Sequence, residues 1–275
     1  MTGKIRGGDF ALACVAYLIL FFLLAPLAIV IPVSLTGGEI ARFPPEGLSL
    51  RWYEEFFSNS EWMESVRVSF ALATVVAVLS TVIGTCAAFA LSRYVPSGLK
   101  PAIRLIVLAP LIVPAIVGAI AMFLMFSKLG IVSTFPGLVL AHTVLALPYS
   151  IIVIENGLLH FDASLEEAAR TLGASRLTRL RRIVLPLILP SIIGSAVFAF
   201  ITSLDELVVV LLVGGASYQT LPVKMFVFLE NELKPTPAVI SSLLIIGLLL
   251  AHGASQIASA FLGRRLRSRA TPQAV

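Results

Sequence analysis

Apolar residues run along this chain in long blocks separated by short polar stretches. Six blocks reach the roughly 20 residues that a transmembrane helix requires, at about 10–34, 66–91, 103–126, 135–157, 183–213 and 238–262. None alternates apolar and polar positions as an outer-membrane barrel strand does. The pattern predicts an all-α membrane protein, one domain over residues 1–275 with six transmembrane helices. Pro110 and Pro114 in the third block and Pro190 in the fifth predict kinks there. The first block follows Lys4 and Arg6 as a signal peptide would. Its apolar run is too long for one, and Pro26 and Pro32 interrupt it without a clear cleavage site, so it reads as a retained helix.

Composition sharpens this reading. Hydrophobic residues make up 58% of the chain and charged residues 13%, against about 45–50% and about 25% in soluble domains. Mean hydropathy is +1.00. A soluble enzyme, a nucleic-acid-binding domain and a disordered regulator are excluded. The net charge of +5 then reflects basic loops held at one membrane face rather than affinity for nucleic acid. Cys14 and Cys86 both lie inside apolar blocks and make no secreted-type disulfide framework.

The basic residues also orient the chain. With the N-terminus in the cytoplasm, the segments on that side hold Lys4 and Arg6, then Arg93, Lys100 and Arg104. They also hold Arg170, Arg176, Arg179, Arg181 and Arg182, and finally Arg264, Arg265, Arg267 and Arg269. Only Arg42, Arg51, Arg67, Lys128, Lys224 and Lys234 fall elsewhere. This asymmetry predicts both termini inside. The segment between the first two blocks is acidic instead, with Glu39, Glu46, Glu54, Glu55, Glu61 and Glu64.

Several chemistries have no motif here. There is no P-loop, no H-E-x-x-H and no G-x-S-x-G nucleophile elbow. A potassium-filter sequence and an arginine-rich voltage sensor are also missing. His142, His160 and His252 are far apart and read as isolated helix or loop histidines. No catalytic or metal-ligating set is expected.

The segment from Phe161 to Pro186 is too long for a simple connection between helices, and it is organised. Ser164-Leu165-Glu166-Glu167 has the form of a capping box. A short helix through Ala168, Ala169, Arg170 and Leu172 should follow. Gly173 suits a left-handed stop, and Ser175 suits the cap of a second helix running to the membrane. Two readings fit the first helix: an interfacial helix on the headgroups, or a docking helix with a small-residue face for a cytoplasmic partner.

Glu167-Ala168-Ala169, three residues, Gly173, nine residues, then Ile183-Val184-Leu185-Pro186 resembles the E-A-A-x3-G-x9-I-x-L-P signature of permease subunits of binding-protein-dependent ABC importers. The resemblance implies a type I ABC importer permease fold, with residues 161–182 as a cytoplasmic coupling loop. It implies that Glu166, Glu167, Ala168, Ala169, Gly173, Ile183, Leu185 and Pro186 couple the chain to a separate ATPase. The segments Ser203-Leu204-Asp205-Glu206-Leu207-Val208-Val209 and Ser217-Tyr218-Gln219-Thr220-Leu221-Pro222-Val223-Lys224 resemble the spermidine/putrescine permeases, and most of all the second permease of such systems. Relatives that import other small solutes, such as phosphonates or opine-like compounds, give the alternative substrate class. The partners so implied are a second permease, an ATPase dimer carrying ATP and Mg, an extracytoplasmic solute-binding protein and membrane lipid. No cofactor is expected on this chain, and the location implied is the bacterial inner membrane. A self-contained secondary transporter or channel is the remaining alternative, disfavoured by the organised loop and by the lack of inverted repeats.

Asp205 and Glu206 fall well inside the fifth block. An ionisable group at depth costs roughly 2.5–3.5 kcal/mol on insertion scales, so such residues usually face a pathway or a partner. Neighbours on a helix point about 100° apart, so one acid can face a substrate path and the other a neighbouring helix. A carboxylate is the natural counter-charge for an amine. Both acids are also consistent with an ion pair to a basic residue of the partner permease, or with exposure at the outer end of the span. Glu155 reads as interfacial. Beyond the fifth block, Gly214-Gly215 and Pro222 precede a short surface helix expected at Val223–Leu233, with Pro235 and Pro237 after it.

Overall fold

A computed structural model describes residues 7–215, 217–250 and 253, and every element among them is helical apart from one isolated bridge between Thr36 and Leu48. The helices are α1 (Gly7–Ser34), α2 (Arg51–Ser58), α3 (Ser60–Arg93), α4 (Lys100–Ile112), α5 (Ala115–Leu129), α6 (Phe135–Leu159), α7 (Ala163–Thr171), α8 (Arg176–Arg179), α9 (Leu185–Asp205), α10 (Leu221–Asn231) and α11 (Thr236–Leu250). A π-helical turn at Leu180–Val184 joins α8 to α9 in one continuous helix, Arg176–Asp205.

Leu12–Ser34, α3, α6 and Arg176–Asp205 are long and apolar enough to cross a membrane. They leave large side chains uncovered: Phe21 and Phe22 are each 75% exposed, a surface that lipid rather than water accommodates. The third predicted block is not a gently kinked helix. α4 and α5 meet at a 100° bend, so they form either one broken span or a re-entrant pair. Pro110 lies inside α4, and the break falls at Pro114. Pro114 supplies no N–H and forces Val113 out of the helical region, to ψ 130°. The sixth block coincides with α11 as far as Leu250, and its remainder to residue 262 lies outside the described residues except Gly253.

The fifth block is corrected at its far end. The expected helix after Ser175 is continuous with the span from Arg176 on, and the joint helix stops at Asp205 instead of running to Val213. Glu206 is extended (φ −72°, ψ 119°), and a separate π turn occupies Val210–Gly214.

The chain divides into two compact units. In one, comprising the described residues up to Ser60 and from Val227 on, Tyr53 ties α1 to α11. Its hydroxyl lies 2.7 Å from Ser34 Oγ and 2.8 Å from Ser242 Oγ. The second unit, Glu61–Phe226, carries the main apolar core. There Leu72 and Val76 of α3, Phe126 of α5, Leu138 of α6 and Ala199 of α9 are buried with Val210 and Val213. α6 and α9 approach closely. A Cβ on Gly157 would stand 2.6 Å from Ser191 Cβ, so glycine is what this crossing admits. Small residues at such contacts let backbones approach where lipid gives no hydrophobic drive.

Candidate functional site

The segment between α6 and α9 folds as helix, glycine turn, helix, as its sequence predicts. The expected capping box is not formed. α7 begins at Ala163, and Asp162 is its cap, accepting the Ser164 amide at 2.9 Å. Asp162 already supplies the acceptor one turn earlier, which leaves Ser164 inside the helix. Hydrogen bonds from the Ser164 hydroxyl and amide hold the Asp162 carboxyl below its ordinary range. Glu167 does not reach back to the helix start; it pairs with Arg170 on the same face.

Gly173 has φ 82°, the left-handed conformation that ends α7, and its amide bonds to the Arg170 carbonyl at 2.9 Å. Ser175 caps α8 as expected, accepting the Thr178 amide at 3.2 Å. The Ile-x-Leu-Pro run has a local logic. Pro186 cannot donate, and its ring would crowd the carbonyl four residues back. The backbone widens just before it into the π turn that contains Ile183, with Leu185 N–H bonding to the Leu180 carbonyl. Leu185 and Pro186 then open α9.

Two adjacent glutamates of α7 have different environments. The Glu166 side chain is 18% exposed and the Glu167 side chain 60%. Glu166 receives a forked pair from Arg93, the last residue of α3, at 2.6 and 2.9 Å. Arg179 Nε of α8 lies 3.5 Å away, and its Nη1 donates to the Ala174 carbonyl at 2.7 Å. The Arg93 hydrogen bond holds the Glu166 carboxyl below its ordinary value against the opposing effect of burial. Arg176 stacks over Tyr94, just beyond α3, at 5.5 Å. Ala168 and Ala169 are in α7, while Leu172, just after it, is 87% exposed. Sequence reasoning missed Arg93 and Arg179 as partners of this loop. The one available signal was a basic residue at the end of the second block.

Asp205 and Glu206 do not sit in a continuous helix, which corrects the expectation that places them well inside a span. Asp205 is the last residue of α9; it is exposed, and its carboxylate forms no hydrogen bond or ion pair with any described residue. Glu206 lies in the break, and its Oε1 accepts the Val209 amide at 2.9 Å, capping the turn that follows. Glu155, near the end of α6, pairs with Arg104 of α4 at 3.1 Å. Among the histidines, His142 is buried with Nδ1 2.9 Å from Ser203 Oγ, and His160 is exposed. His252 lies outside the described residues. No group of three or more metal-ligating side chains occurs among the described residues.

A family model for the binding-protein-dependent transport system inner membrane component matches residues 80–268. The spermidine/putrescine transport system permease protein PotC of Escherichia coli (strain K12) is 32% identical over 257 residues, covering 94% of this chain and 95% of that protein. The putrescine transport system permease protein PotI of the same strain is 30% identical, covering 82% of each. Among solved structures, a bacterial alginate ABC transporter in complex with an alginate pentasaccharide-bound periplasmic protein has a chain that superposes with TM-score 0.71. That chain is 16% identical, with 94% of this chain and 96% of that one covered. At that identity the likeness speaks for the fold.

Proposed function

We propose that this chain, which belongs to the family of binding-protein-dependent transport system inner membrane components, forms half of the translocation path of an ATP-driven polyamine importer. Its being a multi-pass inner-membrane permease subunit of an ABC importer follows from the family and the apolar helices. The further reading is as follows. A second permease completes the path. ATP and Mg are held by a separate ATPase dimer, and a solute-binding protein delivers the solute from outside. Both termini are cytoplasmic, and the chain is a single permease domain that crosses the membrane six times.

The observation that carries the coupling role is the α7–Gly173–α8 turn. It presents Glu167, Ala168 and Ala169 at the end of the helix bundle with exposed side chains around them. A short, capped helix is a rigid object that a groove in an ATPase can grip. Closure of the ATP-bound dimer then moves α7 and, through the continuous helix Arg176–Asp205, the far end of α9. The polyamine reading rests on the similarity to PotC and PotI over most of the chain. Asp205, unpaired at the end of that helix, is the counter-charge available to a cation.

Co-expression of the chain with its neighbouring permease, ATPase and binding protein, followed by reconstitution, tests this. Radiolabelled spermidine or putrescine should enter vesicles only with all four components and ATP. Import by this chain alone would replace the reading with a secondary transporter. Import of a different solute by the full assembly would retain the importer and reassign its substrate.

A further inference from the structure

We infer that Glu166 is an internal latch, a positioning residue that holds the α7 helix to the end of α3 and to α8, while Glu167 beside it is left to face the ATPase. The inference deepens the importer reading and rests on it. Consecutive residues on a helix point about 100° apart, so two adjacent acids cannot both face the same neighbour. Glu166 turns toward the bundle and meets two guanidinium groups from two different elements. Glu167 turns away, and its carboxylate pairs with Arg170 of the same helix.

The geometry is that of a joint. Arg93 grips Glu166 with two nitrogens, and planar two-point pairing fixes direction as well as distance. Arg179 touches the same carboxylate and also holds the Ala174 carbonyl, one residue past the glycine turn. A single carboxylate therefore connects α7, the turn, α8 and the end of α3. Among the described residues, no other side chain of α7 forms an ion pair or hydrogen bond with α3 or α8, so without Glu166 α7 would be held by packing, by its backbone at Asp162 and by a turn whose pivot is a glycine. A force applied to α7 would then bend the turn instead of moving α3 and α9. With the latch closed, α7, α3 and the Arg176–Asp205 helix move together.

The test uses the complete complex of both permeases, ATPase and binding protein in proteoliposomes, with radiolabelled spermidine as the probe. Three quantities are read: ATPase retained on purification, ATP hydrolysed, and spermidine imported. Glu166→Gln keeps the side chain's size and removes its charge. It should leave ATPase retention and hydrolysis near wild type while the ATP spent per spermidine rises about tenfold, the equivalent of one charge-assisted hydrogen bond. Arg93→Gln, on a different helix, should reproduce that uncoupling, and Arg93→Lys should restore part of it. Combining Glu166→Gln with Arg93→Gln should cost no more than either alone, since both open the same latch. Glu167→Gln should differ in kind, lowering ATPase retention.

Loss of ATPase retention in Glu166→Gln would make Glu166 a docking residue and overturn the latch. An unchanged ratio in both Glu166→Gln and Arg93→Gln would do the same. Should Glu166→Gln fail to accumulate in the membrane, Arg93→Gln and Arg179→Gln carry the same comparison. A wild-type complex that neither retains an ATPase nor imports would remove the importer reading itself, and the latch with it.

Discussion

His142 and Ser203 join α6 to α9 through a 2.9 Å contact between Nδ1 and Oγ, two residues before α9 ends at Asp205. Both side chains are buried, and His142 Nε2 has no hydrogen-bond partner among the described residues. The pair ties the end of α9 to its neighbour just before the backbone leaves the helix. Its position makes it a structural anchor for the break that follows.

Ser203→Ala should therefore destabilise the protein by about 1 kcal/mol, in the range found for single hydrogen bonds between membrane helices. His142→Ala should cost more, because it also removes buried volume. The double variant should lose less than the sum of the two, since the second change has no bond left to break. Thermal unfolding in detergent measures all three. Full additivity would mean that the two side chains act independently.

Gly173→Val should disable transport while the permease still inserts. The residue holds φ 82°, and an added Cβ meets nothing within 4 Å, so the penalty is in the backbone rather than in crowding. A left-handed L-residue costs roughly 1–2 kcal/mol, more for a β-branched one. Asparagine tolerates this region, so Gly173→Asn should retain most of the transport that Gly173→Val loses. ATPase co-purification and vesicle uptake separate the two. Equal behaviour of Asn and Val would mean that the turn is not set by the dihedral angle.

The loop around Gly173 was legible from the sequence because its signals are local. A glycine after a helical stretch and a serine before the next act within a few residues of themselves. Even there, the helix start was misjudged by two residues, since Asp162 and Ser164 both have capping side chains and the nearer competitor to the chain entry prevailed. The 100° bend was visible only as prolines, because local sequence does not say how far a freed backbone will turn. The end of α9 was hidden for a different reason. Beyond Asp205 and Glu206, Leu207, Val208, Val209, Val210, Leu211, Leu212 and Val213 resume the apolar run, and hydropathy cannot distinguish one helix from two. What ends α9 is the Glu206 side chain taking the Val209 amide. The Arg93–Glu166 pair spans 73 positions and depends on tertiary placement, which no local pattern encodes.

A topology reporter fused after Leu172 should read cytoplasmic, and one fused near Glu61 should read external. The expectation rests on the concentration of arginine around α8 and on the acidic residues preceding α3. Phosphatase and fluorescent-protein fusions at both sites report opposite compartments. The reverse pattern at the two sites would place the α7 turn outside and remove its role as an ATPase contact.

Asp205 and Glu206 should separate when each loses its charge. Glu206→Gln keeps a carbonyl oxygen able to accept the Val209 amide, so the cap survives and transport should change little. Glu206→Ala removes the acceptor, and should cost about 1 kcal/mol in stability, as lost caps do. The Asp205 carboxylate has no described partner to disturb, so Asp205→Asn should leave stability unchanged. If Asp205 meets the passing polyamine, losing a charge-assisted bond of about 1.5–3 kcal/mol should slow uptake by roughly one to two orders of magnitude. The binding protein's own affinity should not move, because the residue is not on it, and ATPase retention should stay intact. Uptake of radiolabelled spermidine by the assembled complex, paired with thermal unfolding of each variant, distinguishes these outcomes. Wild-type uptake in Asp205→Asn would remove the carboxylate from the path and with it the electrostatic argument for a cationic solute.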